Sequence, residues 1–361
     1  YGKDGNDELH GYFNRRQHVQ KILLNSLYGV LGLTVFRFYD IDNAEATTLT
    51  GQELIKFTEK VTNNYYNKQL KTDKDYCIYT DTDSVFYSAL PLVKNRFPNA
   101  DTDDDKFMTE QILDIASEVQ DYINRSYNYF SKNFLNIQGE HRFDIKQEVI
   151  SKSAFWVTKK RYGQWIINDG GLECEKLDVK GLDIVRSSFP PSFRDFMTKV
   201  LKAILAKVDK DKIDQFILNF KKSLNEESID NIALPTGVKG LKKYTEKKTK
   251  GFTSKSMFTE MKKGAPANVK ASIIYNDMLK FYNVNNHEPI RNSSKIRWVY
   301  LKPNPYKIDA IAFKGHDDPD EIMNFIKEYI DRDKIFNKAL KKKIELFYQS
   351  MKWDMPVDKK T

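Results

Sequence analysis

Cysteine is scarce: Cys77 and Cys174 are two in 361 residues, too few for a disulfide framework and at no metal-ligand spacing. Five scattered histidines fit no zinc pattern either. A reducing, cytoplasmic setting follows from that usage. No apolar run approaches the roughly 18 residues that a membrane span needs, and no signal peptide is visible, so no membrane partner is expected. Internal repeats are absent. The acidic stretch "NADTDDD", residues 99–105, lacks the glycine and the distal glutamate of an EF-hand loop. It reads instead as a solvated turn capping the helix that follows. The first residue is tyrosine rather than methionine, which points to a processed product or a piece of a longer chain.

What is present is enough for two or three domains with real cores: 40% of residues are hydrophobic and 13% aromatic. The net charge of +9 and a pI near 9.1 point softly to a polyanion such as nucleic acid. With 30% charged residues of both signs, a lysine-rich soluble surface explains the same numbers equally well.

Apolar spacing predicts a helix over 8–32, broken at Gly29 and Gly32, and a second over about 43–70. Short strands are expected at 76–87, then a long helix over about 107–134. Residues 141–180 read as a β-hairpin turning at Asp169-Gly170-Gly171. From Pro190 onward lysine-rich helices alternate with Gly/Pro loops such as "ALPTGVKG" and "KKGAPANVK", so a boundary is expected near 186–192. A strand pair at 296–301 and 310–313 precedes a charged helical C-terminal region. The expected fold class is α+β.

Three motifs carry chemistry. In "KILLNSLYG", residues 21–29, Lys21, Asn25 and Tyr28 share one helix face, with Ile22, Leu23 and Leu24 expected on a packed opposite side. A cation, an amide and an aromatic edge in a row suit a triphosphate with its sugar and base, though any amphipathic helix offers similar stripes. In "YTDTDSVFY", residues 79–87, Asp81 and Asp83 interrupt a run of strand formers. At i and i+2 of a strand they would share a side and repel unless a cation intervenes. A hard divalent ion such as magnesium resolves this; a solvated polar turn is the plain alternative. In "KKRYG", residues 159–163, strand alternation would send Lys160 and Tyr162 to one face and Lys159 and Arg161 to the other. Such a strand suits a phosphate backbone, or an ordinary salt-bridged surface.

Taken in order, Lys21-x-x-x-Asn25-Ser26-x-Tyr28-Gly29, Tyr79-Thr80-Asp81-Thr82-Asp83-Ser84 and Lys159-Lys160-Arg161-Tyr162 resemble the signature of family B DNA polymerases. "NAEATTLTGQELI" and "VKGLDIVRSSFP" support the match, and "PTGVKGLKKY" and "GAPANVKASIIYN" are similar to thumb segments of replicative polymerases of tailed phages. The resemblance implies an antiparallel palm sheet (33–187, with the catalytic hairpin at 76–87) between a fingers helix (1–32) and a mostly helical thumb (188–361). It implies that Lys21 and Asn25 grip the incoming dNTP, that Lys21 also stabilises the departing pyrophosphate, and that Tyr28 floors the nascent base pair. Asp81 and Asp83 would hold two Mg2+ ions, with Glu148 a weaker auxiliary acid. Lys159, Lys160, Arg161 and Tyr162 would track primer–template DNA, and Lys242, Lys243, Lys247, Lys248 and Lys250 would add phosphate contacts.

Thr80 departs from the family, which usually has glycine there. Threonine tolerates a strand but not φ > 0, so the turn is expected after it. That residue resembles the protein-primed branch, whereas the full KKRY and the long thumb favour the RNA- or DNA-primed branch. The implied reaction is attack of a primer 3′-hydroxyl on the α-phosphorus, with two metals about 3.5–4 Å apart. It needs a further carboxylate, which the family draws from an upstream "D-x-x-S-L-Y-P" motif that this sequence does not contain. The expectation is therefore a C-terminal part of a polymerase, completed by an N-terminal part carrying the missing palm aspartate and an exonuclease. A non-catalytic primer–template binding subunit is the alternative.

Overall fold

A computed structural model of the chain describes residues 7–245, 258–259 and 261–356. It is α+β and divides into two compact units: residues 1–150 with 169–172, and residues 151–168 with 173–361. The change of texture at 186–192 marks a passage from strands to helices inside the second unit.

The first unit opens with α1 (Asp7–Leu31) and α2 (Ile41–Leu70). Asp40 starts α2 by accepting the Asn43 amide, and Lys71 ends it in the left-handed region. A two-stranded antiparallel hairpin follows, β1 (Cys77–Asp81) and β2 (Ser84–Tyr87), then α3 (Leu90–Arg96) and α4 (Asp105–Asn133). The acidic loop does cap α4: Asp104 accepts from the amides of Lys106 and Phe107. The core is thin and rich in tyrosine. Tyr65, Tyr66, Leu92, Val93 and Ile115 form one cluster, and Val61, Ile123 and Tyr127 another. One ion pair crosses three helices. Arg96 on α3 reaches Glu118 on α4 through two bonds of 2.9 and 2.6 Å, and Tyr65 on α2 donates to the same carboxylate at 2.7 Å. The Arg96 hydrogen bonds, then that of Tyr65, hold the Glu118 carboxyl below its ordinary range.

Residues 143–147 lie between helix and sheet and are not a strand, contrary to the hairpin expected from 141. Phe143 and Ile145 pack on Val61, Ile123 and Tyr127. Side chains of α4 take the place of a partner strand. Asn124 bonds both the amide and the carbonyl of Ile145, and Gln120 accepts the Gln147 amide.

The expected hairpin is instead a three-stranded meander of β3 (Val149–Thr158), β4 (Arg161–Asp169) and β5 (Leu172–Lys180). Gly170 and Gly171, both at positive φ, make its second turn as the sequence predicts. Its first turn was not foreseen: it is Lys159-Lys160. Beyond it, α5 (Pro191–Leu205) and α6 (Lys210–Ser223) lead through α7 (Ile229–Ile232) to a second antiparallel sheet. That sheet is β6 (Leu234–Gly237), β7 (Lys295–Tyr300) and β8 (Ala310–Phe313), close to the strand pair expected from the sequence. Between β6 and β7 lie α8 (Leu241–Tyr244) and α9 (Ala267–Phe281), and α9 packs on the sheet. The chain finishes with α10 (Asp320–Tyr329), α11 (Arg332–Ile335), a π-helical stretch and α12 (Lys342–Ser350). This core is the large one, from Phe193, Val200 and Leu201 through Tyr275 and Met278 to all four residues of β8. At Gly163, β4 comes so near α5 that a Cβ would stand 2.7 Å from Leu201 Cδ2.

A carboxylate held below its ordinary pKa stabilises the fold above its unfolded value, and that support goes as pH falls through the folded value. Acid titration followed by circular dichroism should show Glu118→Gln less stable than the parent at neutral pH, with the difference closing below about pH 4. A constant difference from neutral to strongly acidic pH would rule out this role for Glu118.

Candidate functional site

The two aspartates sit at the end of the β1–β2 hairpin. The register pairs Thr80 with Val85 and Asp81 with Ser84, which leaves Thr82 and Asp83 as a two-residue loop. The turn thus follows Thr80, as the steric argument requires. The alternation argument needs correcting, because Asp83 lies in the loop and not in a strand. Asp81 ends β1 and Asp83 is the second residue of the loop, with Thr82 between them. Thr82 carries the positive φ, 51°, in a region where a β-branched residue is a genuine outlier, at a cost of about 1–2 kcal/mol. Local bonds hold this shape. The Asp83 amide donates to the Asp81 carbonyl at 2.6 Å, Ser84 Oγ donates to the same oxygen, and Thr82 Oγ1 donates to Asp81 Oδ1 at 3.1 Å. Asp81 is half-buried and Asp83 exposed.

Aromatic packing fixes the hairpin to α2. The Tyr66 ring lies 5.2 Å from that of Tyr76 and 5.5 Å from that of Tyr87, whose hydroxyl donates to the Glu59 carbonyl at 3.0 Å. Tyr79 and Phe86 pair across the strands with centroids 5.9 Å apart. Burial raises the hydroxyl pKa of both Tyr66 and Tyr87. Burial, followed by the charge of Glu59, pushes the Cys77 thiol up to about 11.

On α1, Lys21, Asn25 and Tyr28 are all exposed, and the Tyr28 hydroxyl meets Thr48 Oγ1 of α2 at 2.7 Å. The side expected to be packed is not: Ile22, Leu23 and Leu24 are 51%, 64% and 71% exposed. Leu9, Tyr12, Phe13, Val19 and Leu27 are exposed on the same helix. Glu148 is also exposed, its carbonyl accepting the Gly170 amide. Among the described residues no three His, Cys, Asp or Glu side chains come together as a metal site, so Glu148 does not join Asp81 and Asp83 in a triad. Carboxylate oxygens such as those of Asp81 and Asp83 are hard donors of the kind that divalent cations such as magnesium prefer.

Described within the second unit, the KKRY motif is a turn and its exit rather than a strand. Lys159 and Lys160 are exposed at the tip, with Lys160 at φ 61°. Arg161 and Tyr162 begin β4. Arg161 is bonded to Asp183 at 2.9 Å, and Tyr162 is buried, its ring 6.0 Å from Trp156. The expected split of these four side chains between two faces therefore fails at the lysines. Asp183 was missed as a functional candidate, although it stands in "VKGLDIVRSSFP". Lys242 and Lys243 are exposed on α8, with Lys243 Nζ 5.4 Å from the Tyr244 ring centroid. Lys247, Lys248 and Lys250 lie outside the described residues.

A family model described as DNA polymerase family B matches residues 3–348. The chain belongs to that family. Similar proteins include the DNA-directed DNA polymerases of Enterobacteria phage T4 (27% identical, 91% of this chain and 36% of that protein) and Escherichia phage RB69 (25%, 93% and 37%). The DNA polymerase alpha catalytic subunit of Xenopus laevis is 27% identical over 64% of this chain and 14% of its own length. This family B chain thus spans little more than a third of the phage relatives it matches. Among its described residues no helix is long and apolar enough to cross a membrane.

Since a thiolate is the reactive form, Cys77 should stay inert to iodoacetamide at pH 8 and gain reactivity only above about pH 10. Peptide mass mapping across a pH series checks this. Fast labelling of Cys77 at neutral pH would mean that the hairpin is not packed on α2 as described.

Proposed function

We propose that this chain forms the nucleotide- and metal-binding part of a family B DNA polymerase that performs template-directed DNA synthesis. The observation that carries the reading is the Asp81-Thr82-Asp83 turn on an anchored hairpin, in a chain that matches the family across 3–348. In this reading the hairpin belongs to the palm and α1 to the fingers, with the helical C-terminal region as thumb. Asp81 and Asp83 would hold divalent ions, Mg2+ by their hard oxygen donors, and Glu148 would act at most as an outer acid. When bound, a pair of such ions lowers the barrier by neutralising charge on the attacking and leaving oxygens. Lys21 and Asn25 bind the triphosphate, Lys21 steadies the negative charge that leaves with pyrophosphate, and Tyr28 supports the base pair. Lys159, Lys160, Lys242 and Lys243 contact the phosphates of primer–template DNA.

Two features support completion by the part of the polymerase that lies outside this sequence, including a further palm carboxylate. Among the described residues no third acid joins Asp81 and Asp83. And α1 exposes more large apolar side chains than a helix in water ordinarily shows, which marks a surface made to be covered. The pair also keeps a second reading in play, a subunit that grips primer–template without chemistry. Asp83→Ala separates them. In primer extension with the complementing part, it should cut synthesis at least about a thousandfold while duplex affinity changes less than about twofold. Unchanged extension would rule out the catalytic reading.

DNA affinity should also fall steeply with salt, log K against log[salt] losing about 0.9 of slope for each phosphate-contacting lysine removed. Replacing Lys242 and Lys243 by alanine and repeating the titration tests this. An unaltered slope would take those two lysines out of the DNA-binding account.

A further inference from the structure

Asp183 is surrounded by cations. Its carboxylate accepts Arg161 at 2.9 Å, Lys343 of α12 at 3.0 Å and Arg186 at 3.5 Å, and its side chain is only 12% exposed. Apolar groups of Val157, Leu182, Phe189 and Phe347 line the same recess, so these attractions act in a medium less screening than water. The Arg161 bond to Asp183 is made by a terminal guanidinium nitrogen, and among the described residues its Nε is buried without an acceptor.

A second contact converges on the same turn. Gly181, two residues before Asp183, has φ 65°, and a Cβ there would stand 2.0 Å from the Lys160 carbonyl oxygen. Backbone thus presses on backbone at a spot where any side chain would force the turn away. Lys160 itself sits in the left-handed region, a conformation that a lysine keeps only if its surroundings hold it there. The end of β5 and the short 3-10 turn Asp183–Val185 supply both contacts, one by close approach and one by charge.

We propose that Asp183 is a positioning residue for primer–template binding, holding the Lys159–Lys160 turn in register through Arg161. This rests on the functional reading above, in which that turn meets DNA. Arg161 is then a strut beneath the turn and not itself a phosphate contact, which reassigns one residue of the motif. The cations around Asp183 supply attraction without direction, and the Arg161 ion pair at 2.9 Å supplies the direction.

The test is fluorescence anisotropy of a labelled primer–template duplex over a salt series, with the full chain and its Asp183→Asn, Asp183→Glu, Arg161→Met and Asp183→Asn/Arg161→Met variants. Asp183→Asn should weaken binding about tenfold without steepening the salt slope, and Asp183→Glu should recover part of the loss. The double variant should bind no worse than the weaker single one, the signature of two residues acting as a unit. Affinity equal to or above the parent's with a slope steeper by about 0.9 would mean that Asp183 merely neutralises Arg161, and would overturn the proposal. Additive losses would overturn it as well. A parent chain that fails to bind the duplex would instead bring down the functional reading, and the proposal with it. If circular dichroism shows Asp183→Asn unfolded, Asp183→Glu decides: about a threefold loss supports positioning, and no change excludes it.

Discussion

Tyr66 of α2 lies against the rings of Tyr76 and Tyr87, with the Tyr87 hydroxyl bonded to a carbonyl of the same helix. Everything proposed for the first unit hangs on that attachment. A two-stranded hairpin alone in water is marginal at best, and this one has only nine strand residues. Docked through its aromatics it can present a strained loop at its end. The strain at Thr82 is local and is offset by the packing behind it.

The two units solve the same problem with different means. In the second, a large aliphatic and aromatic core holds α5, α9 and β8, and β4 of the meander meets α5 where Gly163 faces Leu201. In the first, apolar burial is modest and much of the cohesion is polar: the Glu118 carboxylate shared by Arg96 and Tyr65, and the Asn124 and Gln120 side chains that stand in for a sheet partner. Polar cohesion of this kind is directional, and it is sensitive to protonation in a way that the aliphatic core is not.

Much of this was legible in the residues. The starts of α2 and α4 came within a few positions because capping acids mark them, α1 runs through Gly29 where a break was expected, and the Asp169-Gly170-Gly171 turn announced itself by composition. The Lys159-Lys160 turn did not. No glycine, asparagine or aspartate signals it, and Lys160 takes a positive φ beside contacts from Gly181 and Asp183, which are distant in sequence. Residues 143–147 misled for a related reason. Their alternation is real, with Phe143 and Ile145 both half-buried against the same cluster, but the hydrogen bonds go to helix side chains, which periodicity cannot reveal. The pleat argument for the Asp-x-Asp pair was wrong, because the chain turns between Asp81 and Ser84 and leaves Asp83 in the loop. The exposure of Ile22, Leu23 and Leu24 could not be read from spacing, since spacing says which residues share a face and not what lies opposite.

Gly163 follows Tyr162, and its missing Cβ leaves room for Leu201 of α5. The sequence neighbourhood of the motif is therefore mortgaged to a residue nearly forty positions away. Alanine at 163 forces the buried Leu201 side chain to shift unless 201 first becomes smaller, and a smaller residue at 201 leaves a void until 163 grows. Each single step passes through a less stable intermediate, so the two sites should explore sequence space as a linked pair, and the tempo of change at the motif is set partly from inside the core.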